Sequence, residues 1–344
     1  MRRRLGRIAA AALAACLLLT LTGCGRPERR SRVWYTWFDT VTTLVGEGSE
    51  KDFETAAAIV EDTLERYHRL CDIYYEYSGL TNARTLNLHA GEKALAVDRE
   101  LLAVLRFGKE MHELTDGRCS ILLGAPLALW HDCRETALNG GAAELPDLRA
   151  LAEAGEHCRI GDLELTETTA RIADPEARLD LGAVAKGFAA EQAARALEAA
   201  GCTGFALSVG GNVRTVGGKA DGSDWVTGIQ DPDDTAGSVY GLRVSLRDAA
   251  LVTSGSYQRY YEVDGVRYHH ILDPDTLFPR NEFLSVSILC PDSGRADALS
   301  TAVFNLPLSD GLAFVNALAD TEACWILADG ETVFSDGFEE YILQ

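Results

Sequence analysis

The stretch from Arg243 to Pro274, RVSLRDAALVTSGSYQRYYEVDGVRYHHILDP, constrains the fold more than any other part of the chain. Polar and apolar residues alternate through several short runs, and Asp264-Gly265 sits between two of them. An Asp-Gly pair accepts the positive φ of a tight hairpin turn, so the segment predicts antiparallel strands. Helical periodicity appears on both sides of it. Asp52 to Asp72, Asp98 to Leu114 and Gly182 to Gly201 carry apolar residues at helical spacing, with Asp98 placed to cap its helix and Gly201 to close the last. Further strands are expected in WYTWFDTVTTLVGEG, DLELTETTARI, ARLDL, FLSVSILCPD and on both sides of the Gly210-Gly211 turn. Two more helices are expected in RADALSTAVFNLPLSDGLAFVNAL, a closing hairpin after Cys324, and an irregular path between about Thr115 and Leu145. Helices and hairpins are interspersed rather than strictly alternating, which makes the class α+β. No Ser/Gly-rich or Pro-rich linker interrupts the chain after Val33, so one compact unit spanning 33–344 is expected.

The first residues follow a different logic. MRRRLGRIAAAALAACLLLTLTGC puts four arginines ahead of an apolar run from Ile8 to Leu21, the layout of an export signal and short for a membrane span. The run stops at Leu21-Thr22-Gly23-Cys24, which resembles a bacterial lipobox. Residues 1–23 then form a lipoprotein signal peptide, Cys24 carries lipid, and 24–32 is a tether. This places the working domain on the extracytoplasmic face of a cell membrane. The formal charge of −20, with basic residues concentrated in that leader, leaves a strongly acidic domain that lacks the basic footprint nucleic acid requires. A polyanionic substrate would need a local cation or metal to offset this field. The cysteines beyond Cys24 are irregularly spaced and contain no C-x-x-C, so neither a zinc site nor a disulfide framework is indicated.

Three constellations carry chemistry. In LDLGAVAKG, Leu179 to Gly187, an extended run ends in Asp180, a glycine turn follows, and Lys186 falls in the first turns of a helix. Helix N-termini and lysine both favour anions, so the loop suits a phosphate-bearing ligand; a tight turn with a surface lysine fits the same residues. It is not a Walker loop. In RADALSTA, Asp297 and Thr301 are four residues apart and share a helix face. A carboxylate and a hydroxyl are hard ligands suited to Mg²⁺, although an Asp near a helix start also serves as an N-cap. In the third, Thr253, Ser254 and Gly255 offer hydroxyls and close backbone approach, and His270 before an Asp-Pro turn is a candidate base. A Ser-His-Asp hydrolase is disfavoured, because no G-x-S-x-G elbow is present.

LDLGAVAKGFAAEQ, SVGGNV, TSGSYQRYYEVDGVRYHHILDP and ADALSTAVF, in this order, resemble the ApbE-type flavin transferases; FDTVTTLVG and WHD fit as well, so the resemblance covers nearly all of the domain. It implies one large T-fold-related domain with mixed or antiparallel sheets and packed helices. It also implies an enzyme that binds FAD with Mg²⁺ and transfers FMN to a Thr or Ser of an acceptor protein, releasing AMP. By position, His270 would be the base. Asp180, Lys186 and Ile271 would contact FAD, as would Phe38 with Asp39 and Thr40, and Tyr74 would lie beside the flavin. Ala183 (through its carbonyl), Asp297 and Thr301 would hold the metal with Ser300 near it. The acceptors in such families are extracytoplasmic subunits of flavin-dependent electron-transport complexes. The chain departs from the pattern at RCSILLGAPL after Gly117, which bears on contacts from Cys119 to Ile121, and at Leu277, where glycine is common. Activity is expected to survive both. A Mg²⁺-dependent FAD pyrophosphatase and a non-enzymatic flavin-binding lipoprotein are the competing functions.

Overall fold

The structure is a computed structural model that describes residues 28–232 and 240–343. The expected signal peptide and Cys24 lie outside the described residues. In chain order the strands are β1 Arg29–Trp34, β2 Thr42–Glu47, β3 Leu95–Ala96, β4 Leu163–Leu165, β5 Thr169–Ile172, β6 Phe205–Val209, β7 Asn212–Val216 and β8 Trp225–Gln230. There follow β9 Tyr240–Leu246, β10 Ala250–Gly255, β11 Tyr260–Val263, β12 Val266–His269, β13 Phe283–Cys290, β14 Glu322–Leu327 and β15 Thr332–Phe334. The helices are α1 Glu50–Cys71, α2 Ala83–Leu88, α3 Arg99–Leu114, α4 Gly124–Leu138, α5 Leu148–Gly155, α6 Ala185–Ala199, α7 Ser293–Phe304 and α8 Leu308–Asn316.

Eight strands form one sheet in the order β1-β2-β6-β7-β10-β13-β14-β15, and every pairing within it is antiparallel. Side chains alternate across it as the pleat requires. Val252, Ile288, Ala323 and Trp325 face one core with Leu299, Val303 and Phe304 of α7. Their neighbours Leu251, Leu289, Cys324 and Ile326 face the other way, against Ile229, Val244 and Leu246 of the β8-β9 ribbon. A larger core gathers α1, α3 and α6 over β2 and β6. Helix α1 buries Phe53, Ala56, Ala57, Val60, Leu64, Tyr67 and Leu70, a stripe at helical spacing. Its N-cap is Ser49, whose hydroxyl accepts from the Asp52 N–H at 3.1 Å. The two tight turns use the expected residues in the expected conformation: Gly210 and Gly211 between β6 and β7, and Asp264 and Gly265 between β11 and β12, all with positive φ.

Four local expectations are corrected. Order begins earlier than a tether ending at residue 32 implies, because Arg29 to Trp34 pair with Thr42 to Glu47; the single opening strand is therefore two, broken by a turn at 35–41. Asp98 sits at the N-cap of α3 but makes no capping bond; it accepts instead from Arg66 Nη2 at 2.6 Å. The stretch from Thr115 to Leu145 contains helix α4, whose start is masked by Gly124 and Pro126. Pro126 lies in the first turn, where its missing N–H costs nothing. Finally ARLDL is extended but joins no sheet. Side-chain and loop groups satisfy its backbone: Leu179 N–H donates to Asn87 Oδ1 at 2.7 Å, Asn87 Nδ2 donates to the Leu179 carbonyl at 3.0 Å, and Asp180 N–H donates to the Ile121 carbonyl at 3.0 Å.

Among the described residues the seven cysteines are unpaired, and Cys71, Cys119, Cys290 and Cys324 are buried. No described helix is long and apolar enough to cross a membrane.

Candidate active site

Helices α6 and α7 cross at minimal separation, and the crossing builds the floor of the site. A Cβ on Gly187 would stand 2.4 Å from Asp297 Cβ and 2.4 Å from the Ser293 carbonyl, so only glycine fits there. Gly187 N–H donates to Asp297 Oδ2 at 2.8 Å, and Lys186 Nζ lies 3.6 Å from Asp297 Oδ1. Asp297 is 4% exposed, and this burial pushes its carboxyl above the ordinary range against the pull of Lys186 and the Gly187 N–H. Asp297 is not the helix cap. That role belongs to Asp292, which accepts from Arg295 N–H at 2.9 Å. Below the crossing, Glu191 of α6 accepts from Arg214 Nε at 2.9 Å, Arg195 Nε at 3.1 Å and the Ser293 N–H at 2.9 Å, tying the start of α7 to α6. Burial works to raise the Glu191 carboxyl, but Arg214 and the other donors outweigh it and hold the group below its usual range.

Above this floor opens a cleft of about 230 Å³ lined by Asp180, Ala183, Lys186, Asn212, Thr253, Ser254, His270, Ile271, Asp297 and Thr301, among others. It adjoins a wider space of about 1150 Å³ that reaches Phe38, Asp39 and Tyr75. Tyr74, His131, Arg134, Asp180, Lys186 and Arg259 line both. The three constellations read from the sequence therefore meet at one place. Asp180 accepts from the Gly182 N–H at 2.8 Å, and Lys186 Nζ donates to the Gly182 carbonyl at 3.3 Å, so the glycine turn is closed on both sides. Enclosure raises the Asp180 carboxyl, offset by that N–H and by Lys186.

His270 is exposed on the wall of the cleft. The deep end of the cleft, with the positive charges of Arg259, Lys186 and Arg134 around it, lowers its pKa below the ordinary histidine range. Its neighbour is a structural partner. His269 is 2% exposed, its Nδ1 accepts the Ile271 N–H at 3.2 Å and its Nε2 faces the Arg280 carbonyl at 2.8 Å. Accepting at Nδ1 places the proton on Nε2, so the neutral ring bridges two backbone groups and fixes the peptide that carries His270.

Other expected site residues fall as follows. Ile271 is 5% exposed and lines the cleft. Ser300 is fully buried beneath the lining: it donates to the Asp297 carbonyl at 2.8 Å and shares a hydrogen bond with Ser254 Oγ at 2.8 Å. Its place is thus as a brace for Asp297 and Ser254. Phe38 and Asp39 lie on the adjoining space with positive φ, and Asp39 reaches Arg259 at 3.6 Å. Thr40 and Tyr74 line the cleft itself. Cys119 and Ile121 are fully buried, while Ser120 lines the cleft. Leu277 adopts φ of +59°, a left-handed conformation unusual for its type, and Trp130 Nε1 donates to its carbonyl at 2.9 Å. The sequence reading missed Arg118, Arg134, Arg259 and Asn212. The arginines supply the local positive charge that an acidic domain needs around an anion, but they come from three distant parts of the chain and meet only in the fold.

The donor chemistry fits a hard cation. Among the described residues no group of three or more His, Cys, Asp or Glu is placed to hold a metal. Asp297, Thr301 and Ala183 line the same cleft, and a carboxylate, a hydroxyl and a backbone carbonyl are an all-oxygen set of the kind suited to Mg²⁺.

The cleft thus brings His270, Asp180, Lys186, Asp297 and Thr301 onto one lining with Arg118, Arg134 and Arg259. The profile of the ApbE family matches residues 38–325. The FAD:protein FMN transferase of Treponema pallidum is 36% identical over 273 residues, covering 75% of this chain and 74% of that protein. The FAD:protein FMN transferase of Vibrio cholerae is 28% identical over 336 residues, 96% and 95% of the two chains. In structure, the ApbE protein of Thermotoga maritima superposes with a TM-score of 0.80 at 27% identity, covering 92% of this chain and 100% of that one. The flavin transferase ApbE of Vibrio cholerae gives 0.76 at 25%, covering 92% and 99%. The chain belongs to the ApbE family.

Proposed function

We propose that this ApbE-family enzyme transfers FMN from FAD to a Thr or Ser hydroxyl of an acceptor protein and releases AMP. The observation that carries the reading is the placement of His270 on the same small cleft as Asp180, Lys186, Asp297 and Thr301. The imidazole accepts the proton of the acceptor hydroxyl, and the oxygen attacks the phosphorus on the FMN side of the pyrophosphate. A new P–O bond to the acceptor forms as the bridging P–O bond breaks. AMP departs with the bridging oxygen, its charge steadied by Lys186 and the cleft arginines. The Ala183 carbonyl, Asp297 and Thr301 would hold Mg²⁺, which when bound offsets the negative charge of the pyrophosphate. Phe38, Tyr74 and Ile271 offer apolar surface for the flavin.

The cellular setting belongs to the same proposal: export by the signal at 1–23, lipid on Cys24, and acceptors among extracytoplasmic electron-transport proteins. Metabolic labelling with a palmitate analogue tests the anchor, with Cys24→Ser losing the label. For the reaction, the domain is incubated with FAD, Mg²⁺ and an acceptor domain and the acceptor is weighed intact. AMP and free FMN with an unmodified acceptor would make the enzyme a pyrophosphatase, and intact FAD throughout would make it a binding protein.

A further inference from the structure

One polar atom at the floor of the cleft has no partner. Asn212 opens β7 directly after the Gly210-Gly211 turn, is 1% exposed, lines the cleft, and leaves its Nδ2 without a hydrogen bond. A buried unmade donor costs stability and calls for a reason. Asp297 lines the same cleft, and the Asn212 amide is among the groups that pull its carboxyl down against burial. Oδ2 of that carboxylate is taken by Gly187 N–H, and Oδ1 stands 3.6 Å from Lys186 Nζ, a long ion pair. The two neighbours that order Asp297 thus come from α6, on one side, and Asn212 comes from the sheet.

We infer that Asn212 is a positioning residue for Asp297, poised to donate Nδ2–H to its carboxylate when the site is loaded with a divalent cation. In the loaded site that bond would close, as hydrogen bonds at active sites tighten in the working complex. Carboxylates that hold metals are themselves held by donors, and loss of such a donor weakens metal binding tenfold to a hundredfold. The donor is held unpaired until then, so its removal should relieve the empty protein while it harms the loaded one. This inference rests on the proposal that Asp297 takes part in holding Mg²⁺.

The test compares the parent protein with Asn212→Ala and Asn212→Ser. Mn²⁺ binding in the presence of FAD is read by electron paramagnetic resonance, Mg²⁺ binding by calorimetry, and the melting temperature without metal by calorimetric scan. The expected result is cation affinity weakened at least about tenfold in both variants, with melting temperature unchanged or raised. Unchanged cation affinity in the variants, with the parent binding normally, overturns the inference and leaves the metal proposal standing. So does a melting temperature lowered by more than about 2 °C in both variants, which assigns Asn212 to the fold. If the parent itself binds neither cation, the metal proposal fails and this inference falls with it.

Discussion

Gly187→Ala offers a sharp separation of stability from activity. The added Cβ would lie 2.4 Å from Asp297 Cβ, whereas ordinary contact begins at 3.4 Å, so α6 and α7 must part by 1.0 Å at their crossing. Overpacking of that size costs roughly 1–3 kcal/mol. Alanine in place of glycine inside a helix returns about 1 kcal/mol, and net destabilisation should be no more than about 2 kcal/mol. The site has no such compensation. Asp297 moves relative to Lys186 and loses the Gly187 N–H, and a shift of about 1 Å costs on the order of 100-fold in rate, or about 2.7 kcal/mol of transition-state stabilisation. The assay is kcat/KM for FMN transfer, read by intact mass of the acceptor, beside a urea melt of the same preparation. A variant that folds normally and keeps activity within about threefold of the parent would refute the claim that the crossing sets Asp297 for the chemistry.

Three further outcomes follow from the same geometry. Glu191→Gln strips the buried Arg214 of its nearest carboxylate and loosens the start of α7, and should lower the unfolding free energy by about 3 kcal/mol in urea titration; a change near zero would contradict the role given to that ion pair. His269, with a pKa lowered by burial from 6.5 to about 4, binds its proton more readily when unfolded. Stability should therefore be full above about pH 6.5 and fall as pH drops toward 4. Melting temperatures of His269→Gln across that window should show a shallower fall, and an identical slope would count against it. EDTA should abolish transfer, and excess Mg²⁺ should restore it; activity that persists in EDTA would remove the metal from the account.

Local chemistry decided how much of this was legible in the sequence. The elements nearest the chemistry were readable because their signals are short-range: the Asp-Gly and Gly-Gly turns, the i to i+4 spacing of Asp297 and Thr301, and the glycine turn before Lys186. What escaped depends on tertiary partners. Helix α4, which carries Trp130, His131 and Arg134 to the cleft wall, opens on Gly124 and Pro126 and buries few of its residues, so it lacks a clear stripe. Residues 177–181 have the composition of a strand but find their partners in Asn87 and Ile121. That Asp297 is not the helix cap could be seen only with Asp292 in the capping position. Asn212 lies within SVGGNV, but its missing hydrogen-bond partner exists only in three dimensions.

The central claim is that His270 takes the proton of an acceptor hydroxyl in FMN transfer. Its most direct measurement is the intact mass of an acceptor domain after incubation with FAD and Mg²⁺, for the parent protein and for His270→Ala, with FAD binding of each followed by fluorescence. The account predicts a gain of one FMN with the parent, none with the variant, and similar FAD binding by both. An acceptor fully modified by the variant would contradict it.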